Sequence, residues 1–99
     1  MEVLNGVIEG DISPNHDITI KGILNGTLIV NGVHADVHGV VNGNVIVNNG
    51  GSVNIYGTVQ GGITNNGGLV TVAGMVGREV STVYGDTKIL PDAVTNFKE

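Results

Sequence analysis

The chain has 99 residues, a formal charge of −5, 17 glycines, no cysteine and 3 % aromatic residues. That is enough for one small domain, too rich in Val, Ile and Leu for a disordered chain, and too punctuated by glycine for a helical bundle. Absence of cysteine excludes a disulfide framework and a thiolate metal site, and nine acidic against four basic residues argue against a nucleic-acid surface while suiting a basic partner.

The first eleven residues, MEVLNGVIEGD, have no basic region leading into an apolar run. No later stretch approaches the roughly 20 apolar residues of a membrane span. The expected setting is soluble and cytoplasmic. Continuing along the chain, one phrase recurs, Gly-x-apolar-x-Gly-x-apolar: Gly6-Val-Ile8-Glu-Gly10-Asp-Ile12, Gly22-Ile-Leu24-Asn-Gly26-Thr-Leu28, Gly39-Val-Val41-Asn-Gly43-Asn-Val45 and Gly57-Thr-Val59-Gln-Gly61-Gly-Ile63. A degraded fifth copy, Gly74-Met-Val76-Gly-Arg78-Glu-Val80, carries Arg78 in the second glycine column. The leading glycines are 16, 17, 18 and 17 residues apart, and self-similarity at a fixed short period marks a repeat architecture.

Aligned on the leading glycine, three columns are aliphatic throughout. Two places before it stand Leu4, Ile20, Val37, Ile55 and Val72; two places after, Ile8, Leu24, Val41, Val59 and Val76; six places after, Ile12, Leu28, Val45, Ile63 and Val80. All lie an even number of residues from the glycine, which is the alternation of a strand with one buried face. The tracts Asn48-Asn-Gly-Gly51 and Asn65-Asn-Gly-Gly68 supply sharp turns, and no stretch has useful helical periodicity. The expected fold is all-β, a right-handed parallel β-helix of about five coils of about 17 residues, each pairing with the coils above and below. A column nine after the glycine, Asn15, Asn31, Asn48 and Asn66, predicts a corner ladder of stacked asparagines that ends at Val83. Pro14 and Pro91 should mark the ends, since proline cannot donate in a strand interior. Residues 1–83 are read as the solenoid. Residues 84–99 are read as a non-repeating C-terminal cap whose Ile89, Leu90, Val94 and Phe97 fold over the last coil or along a side.

The segments Ile18-Thr-Ile20-Lys-Gly22, Gly26-Thr-Leu28 and Val53-Asn-Ile55-Tyr-Gly57-Thr-Val59-Gln-Gly61-Gly-Ile63, together with Gly6-Val-Ile8-Glu-Gly10-Asp-Ile12, resemble the bactofilin repeat. The resemblance spans about residues 4–80. It implies a β-helix of triangular section and a bacterial cytoskeletal scaffold that polymerises end to end without nucleotide.

Chemistry is harder to find. His34 and His38 have a spacing that would converge on a metal from a helix, but on a strand and corner they need not meet. Ser13, His16 and Asp17 lie near one another in sequence without a marked oxyanion site. Phosphate loops of the Gly-x-Gly-x-x-Gly type need a helix to enter, and Asp11, Asp17 and Asp36 miss the calcium nonapeptide. The threonines make no single ice-binding ladder, and the period is not the strict six of the acyltransferase helices. No catalytic residue, metal or cofactor is expected.

The outward columns are more informative. One place after each leading glycine come Val7, Ile23, Val40, Thr58 and Met75, and seven places after come Ser13, Ile29, Ile46, Thr64 and Ser81. An apolar stripe on a wet face points to a partner, unless the C-terminal segment covers it. Acids including Glu9, Asp11, Asp17 and Asp36 gather in the first half. The candidate protein-binding residues are therefore Val7, Ile23, Val40, Met75, Ile29, Ile46, Glu9, Asp11 and Asp36. Two roles fit: a non-catalytic, bactofilin-like scaffold that associates with itself or binds protein through sheet faces and coil ends, and a small acidic immunity protein that occludes a basic toxin nuclease.

Overall fold

A computed structural model of the chain describes residues 2–95. The described residues form fourteen strands and no helix. The first turn carries β1 (Glu2–Leu4) and β2 (Val7–Glu9); the second, β3 (Ile18–Ile20), β4 (Ile23–Asn25) and β5 (Leu28–Asn31); the third, β6 (His34–Val37), β7 (Val40–Val41) and β8 (Val45–Asn48). Then follow β9 (Ser52–Ile55), β10 (Thr58–Val59), β11 (Ile63–Val72), β12 (Met75–Val76), β13 (Val80–Ile89) and β14 (Val94–Thr95). All pairings between these strands are parallel, and none joins strands of the same turn. The chain is a parallel β-solenoid.

Three sides stack. One is the six-stranded sheet β2-β4-β7-β10-β12-β14. The second stacks β5, β8 and the starts of β11 and β13, and the third stacks β1, β3, β6, β9 and the ends of β11 and β13. Because β11 and β13 run unbroken around a corner, these last two sides join into one sheet. Equivalent residues Leu4, Ile20, Val37, Ile55, Val72 and Ile89 are in register at steps of 16, 17, 18, 17 and 17 residues. Six turns result, one more than the five expected.

The inward columns make the core. Ile20, Val37, Ile55, Val72, Leu24, Val41, Val59, Val76, Leu28, Val45 and Ile63 are all essentially inaccessible to solvent. Two further inward columns complete the spine, Ile18-Ala35-Val53-Val70 and Val30-Val47. A fully buried Val or Ile contributes about 1.5–3 kcal/mol relative to exposure, and here each does so only because a neighbouring turn covers it. Leu4, Ile8 and Ile12 in the first turn and Val80, the last member of its column, are only partly buried, and Ile89 in the last turn is exposed.

The repeated glycines serve close approach more than turning. A Cβ on Gly22, Gly39, Gly57 or Gly74 would overlap the carbonyl oxygen of Gly6, Gly22, Gly39 or Gly57 in the turn beneath. Only a residue without a side chain lets the corners nest. Gly6 is different: it sits at φ 82° with open space around it, because no described turn lies below.

Three expectations are corrected. The segment from Tyr84 does lie over the last full coil, but it does so as strand: β13 crosses the expected boundary, and Asp86, Thr87, Lys88 and Ile89 pair with Leu69, Val70, Thr71 and Val72. Parallel pairing needs backbone rather than the glycine motif, so the ladder outlasts the repeat. Phe97 lies outside the described residues. The Asn corner ladder is broken: Asn66 Nδ2 donates to Asn48 Oδ1 (3.2 Å), but Asn31 Oδ1 accepts from Asn49, and Asn15 bonds to His16 instead. A register slip at this corner sets Tyr84, and not Val83, opposite Asn66.

Candidate functional site

Side one carries the apolar stripe on its outward face. Val7, Ile23, Val40, Thr58, Met75 and Val94 are aligned in register across all six strands. Val7 is 61 % exposed, Met75 41 % and Ile23 38 %, while Val40 is half-buried between its neighbours. The C-terminal segment, through its described residues, does not cover this stripe; Val94 lengthens it by one member. Ile29 and Ile46 pair on side two and are both half-buried, continued by Thr64 and Ser81. The outward column of side three is polar in its middle and upper members: Val3, Thr19, Asp36, Asn54, Thr71 and Lys88.

The acids are engaged between turns. Glu9 Oε2 accepts from Asn25 Nδ2 (2.9 Å), and Asn25 Oδ1 in turn accepts from Asn42 Nδ2 (2.5 Å). Asp11 Oδ1 accepts the Thr27 N–H (2.8 Å) and Asp17 Oδ1 the His34 N–H (3.0 Å). These carboxylates hold backbone donors that a corner leaves without a ladder partner. Asp36 Oδ1 accepts from Asn54 Nδ2 (3.0 Å) and lies 2.9 Å from His34 Nε2, while His34 Nδ1 is 2.6 Å from Ser52 Oγ. The structure thus joins Ser52, His34 and Asp36 across two turns, and it does not join Ser13, His16 and Asp17. His38 stacks on Tyr56, ring centroids 4.8 Å apart, away from any meeting with His34. Among the described residues no group of three His, Asp or Glu is placed to hold a metal.

Sequence reasoning passed over Asn65, which stands in the inward column above Val47 and is fully buried. Its Oδ1 accepts the N–H groups of Gly67 and Gly68, and its Nδ2 donates to the carbonyls of Gly68 and Asp86 and to Thr87 Oγ1. The signal was a polar residue at an even offset, where every lower turn with a strand there has Val.

The first turn is, like the last, an open end of the stack. Outside β1 and β2 no described strand adds to either sheet, so one edge of each is unpaired. A cavity of about 340 Å³ opens there, floored by Leu4, Ile8, Ile12, Pro14 and Ile18 and rimmed by Glu2, Ser13 and His16. His16 Nε2 lies 2.5 Å from Glu2 Oε1, both half-exposed. The same turn carries Glu2, Glu9, Asp11 and Asp17, all exposed, and no Lys or Arg. The apolar floor thus opens on a turn that carries four exposed acids, of which Glu2 lines the cavity.

Comparison of the chain with known protein families, with curated proteins and with solved structures finds no match. Among the described residues no helix is long and apolar enough to cross a membrane.

Proposed function

We propose that the chain is a non-catalytic scaffold of the bactofilin kind, associating with itself through the end of its first turn and through the outward stripe. The observation that carries this reading is the uncovered rung itself. Leu4, Ile8 and Ile12 occupy columns that are sealed in the second, third and fourth turns, yet here they stay partly exposed beside two unpaired strand edges. Unpaired parallel edges accept a further strand by backbone hydrogen bonding, and a second copy offers one of matching register. The Ser52, His34 and Asp36 line is read as a strap between turns: the Ser52 N–H is committed to Val33 O (2.9 Å) and Val53 lies within paired strand, so neither amide is free to stabilise an oxyanion.

Light scattering coupled to size exclusion, over a wide range of concentration, tests the reading. Wild type should pass from monomer to larger species, and Leu4→Lys, which puts a cation on the floor, should remain monomeric while keeping its far-UV circular dichroism. A wild-type protein that stays monomeric throughout refutes it. The four exposed acids of the first turn, Glu2, Glu9, Asp11 and Asp17, support a second reading, an inhibitor that caps a basic toxin nuclease; co-purification with a basic nuclease together with a monomeric free protein would select it.

A further inference from the structure

The chain contains six Asn-Gly pairs, at Asn5, Asn25, Asn31, Asn42, Asn49 and Asn66. In such a pair the nitrogen of the glycine can attack the asparagine side-chain carbonyl, because no Cβ screens it. The structure treats the six differently. Asn25 donates to Glu9 and accepts from Asn42; Asn31 accepts from Asn49; Asn42 and Asn49 donate in those bonds; Asn66 donates to Asn48. Three of the following glycine amides are also held, Gly32 N–H by Asn48 O, Gly50 N–H by Gly67 O and Gly67 N–H by Asn65 Oδ1.

Asn5 has none of this. It is exposed, and among the described residues its side chain makes no hydrogen bond. The reason is its place in the stack. The equivalent amides Gly22 N–H, Gly39 N–H and Gly57 N–H donate to Leu4 O, Ile20 O and Val37 O in the turn beneath; Gly6 has no described turn beneath it, and its N–H has no described acceptor. Gly6 also stands at φ 82° with nothing within 4 Å of its missing Cβ, so that side of its nitrogen is open, while its carbonyl is held by the Ile23 N–H (2.8 Å).

We propose that Asn5-Gly6 is a site of spontaneous covalent modification, turning over ahead of the other five pairs. The Gly6 nitrogen bonds to Asn5 Cγ and gives up its proton; the bond from Cγ to the amide nitrogen breaks and ammonia leaves; one water then opens the five-membered imide to aspartate or isoaspartate. No redox partner is needed. The product adds a carboxylate to the turn that already carries Glu2, Glu9, Asp11 and Asp17, and in the isoaspartate form it inserts one methylene into the backbone beside the unpaired edge. Its consequence for assembly rests on the scaffold reading; the modification does not.

The test is to hold the folded full chain at mildly alkaline pH and 37 °C and follow each Asn-Gly peptide by mass spectrometry and by labelling with isoaspartyl methyltransferase. Asn5 should convert at least about tenfold faster than any other pair, the ratio that ~1.4 kcal/mol of rung-opening free energy gives. In strong denaturant the six rates should converge, and Asn5→Gln should remove the fast site. Equal rates in the folded chain, or a faster site elsewhere, overturn the proposal. Sizing Asn5→Asp beside wild type separates the two ideas: a monomeric wild type sinks the scaffold reading while the mapping still decides the modification.

Discussion

Val40 and Val41 are adjacent in β7, and the solenoid sends them to opposite sides. Val41 has no solvent exposure and lies between Leu24 and Val59 in the aliphatic spine, whereas Val40 faces outward between Ile23 and Thr58. Val41→Asp forfeits about 1.5–3 kcal/mol of burial. It also sets a carboxylate among aliphatic side chains with no donor, which costs several kcal/mol more even after relaxation. A domain of this size holds about 5–15 kcal/mol in all, and a lesion in the third turn separates two turns below from three above. Val41→Asp should therefore be unfolded at 25 °C. Val41→Ala, which only opens a small void, should fold with about 2–3 kcal/mol less stability. Val40→Asp should change stability by no more than about 1 kcal/mol. Urea titration followed by far-UV circular dichroism measures all three. If Val40→Asp unfolds as readily as Val41→Asp, the assignment of inside and outside fails, and with it the placement of the apolar stripe.

The other expectations concern the corners. Gly39→Ala sets a Cβ against the Gly22 carbonyl, backbone that cannot swing aside, and should lower stability by at least about 1–3 kcal/mol in the same titration; a neutral result would mean the corners do not nest as described. Asn65→Ala removes a buried side chain that satisfies Gly67, Gly68 and Asp86, and should cost at least about 2 kcal/mol. Its hydrogen exchange should quicken first at Gly67 and Gly68, and unchanged exchange there would exclude the role given to Asn65.

Much of this fold is legible from one column of glycines. Fixing Gly22, Gly39, Gly57 and Gly74 fixes the parity of everything between them, and the aliphatic columns at even offsets are the core found here. What the sequence hides is where a ladder continues after its side-chain signature stops. Residues 84–89 have lost the glycine motif, yet they keep their place chiefly by main-chain pairing, with the Asn65 side chain bonded to Asp86 and Thr87, and main-chain hydrogen bonds leave no residue pattern. Side-chain bonds at the corners are hidden for a related reason. Asn31 had two candidate partners in the turn above, Asn48 in register and Asn49 beside it, and the structure uses Asn49. A choice between neighbours one residue apart is set by corner geometry, and Asn49, the only described non-glycine residue with positive φ, provides it. Of the candidate site, the stripe could be read from alternation; the cavity could not, since it depends on the first turn having no described turn beneath it.

A stack of this kind exhausts its own interior. Each inner turn has both neighbours, so its ladder hydrogen bonds and its inward aliphatic side chains are used within the stack, and recognition falls to the outward faces and the two ends. The ends are unlike. Inward positions of the first turn hold Leu4, Ile8 and Ile12 with Glu2 and Pro14, whereas those of the last hold Thr82, Thr87 and Thr95 with Val80 and Ile89, and Thr82 and Thr87 already bond to each other (2.6 Å). On the scaffold reading, two first turns meeting face to face would bring eight carboxylates together, Glu2, Glu9, Asp11 and Asp17 from each copy. A first turn meeting a last turn instead faces Arg78 and Lys88 as well as acids, and it continues the parallel ladder in the direction the chain already runs. Charge and strand direction both favour that polarity, and both act at the rung where Asn5 lies.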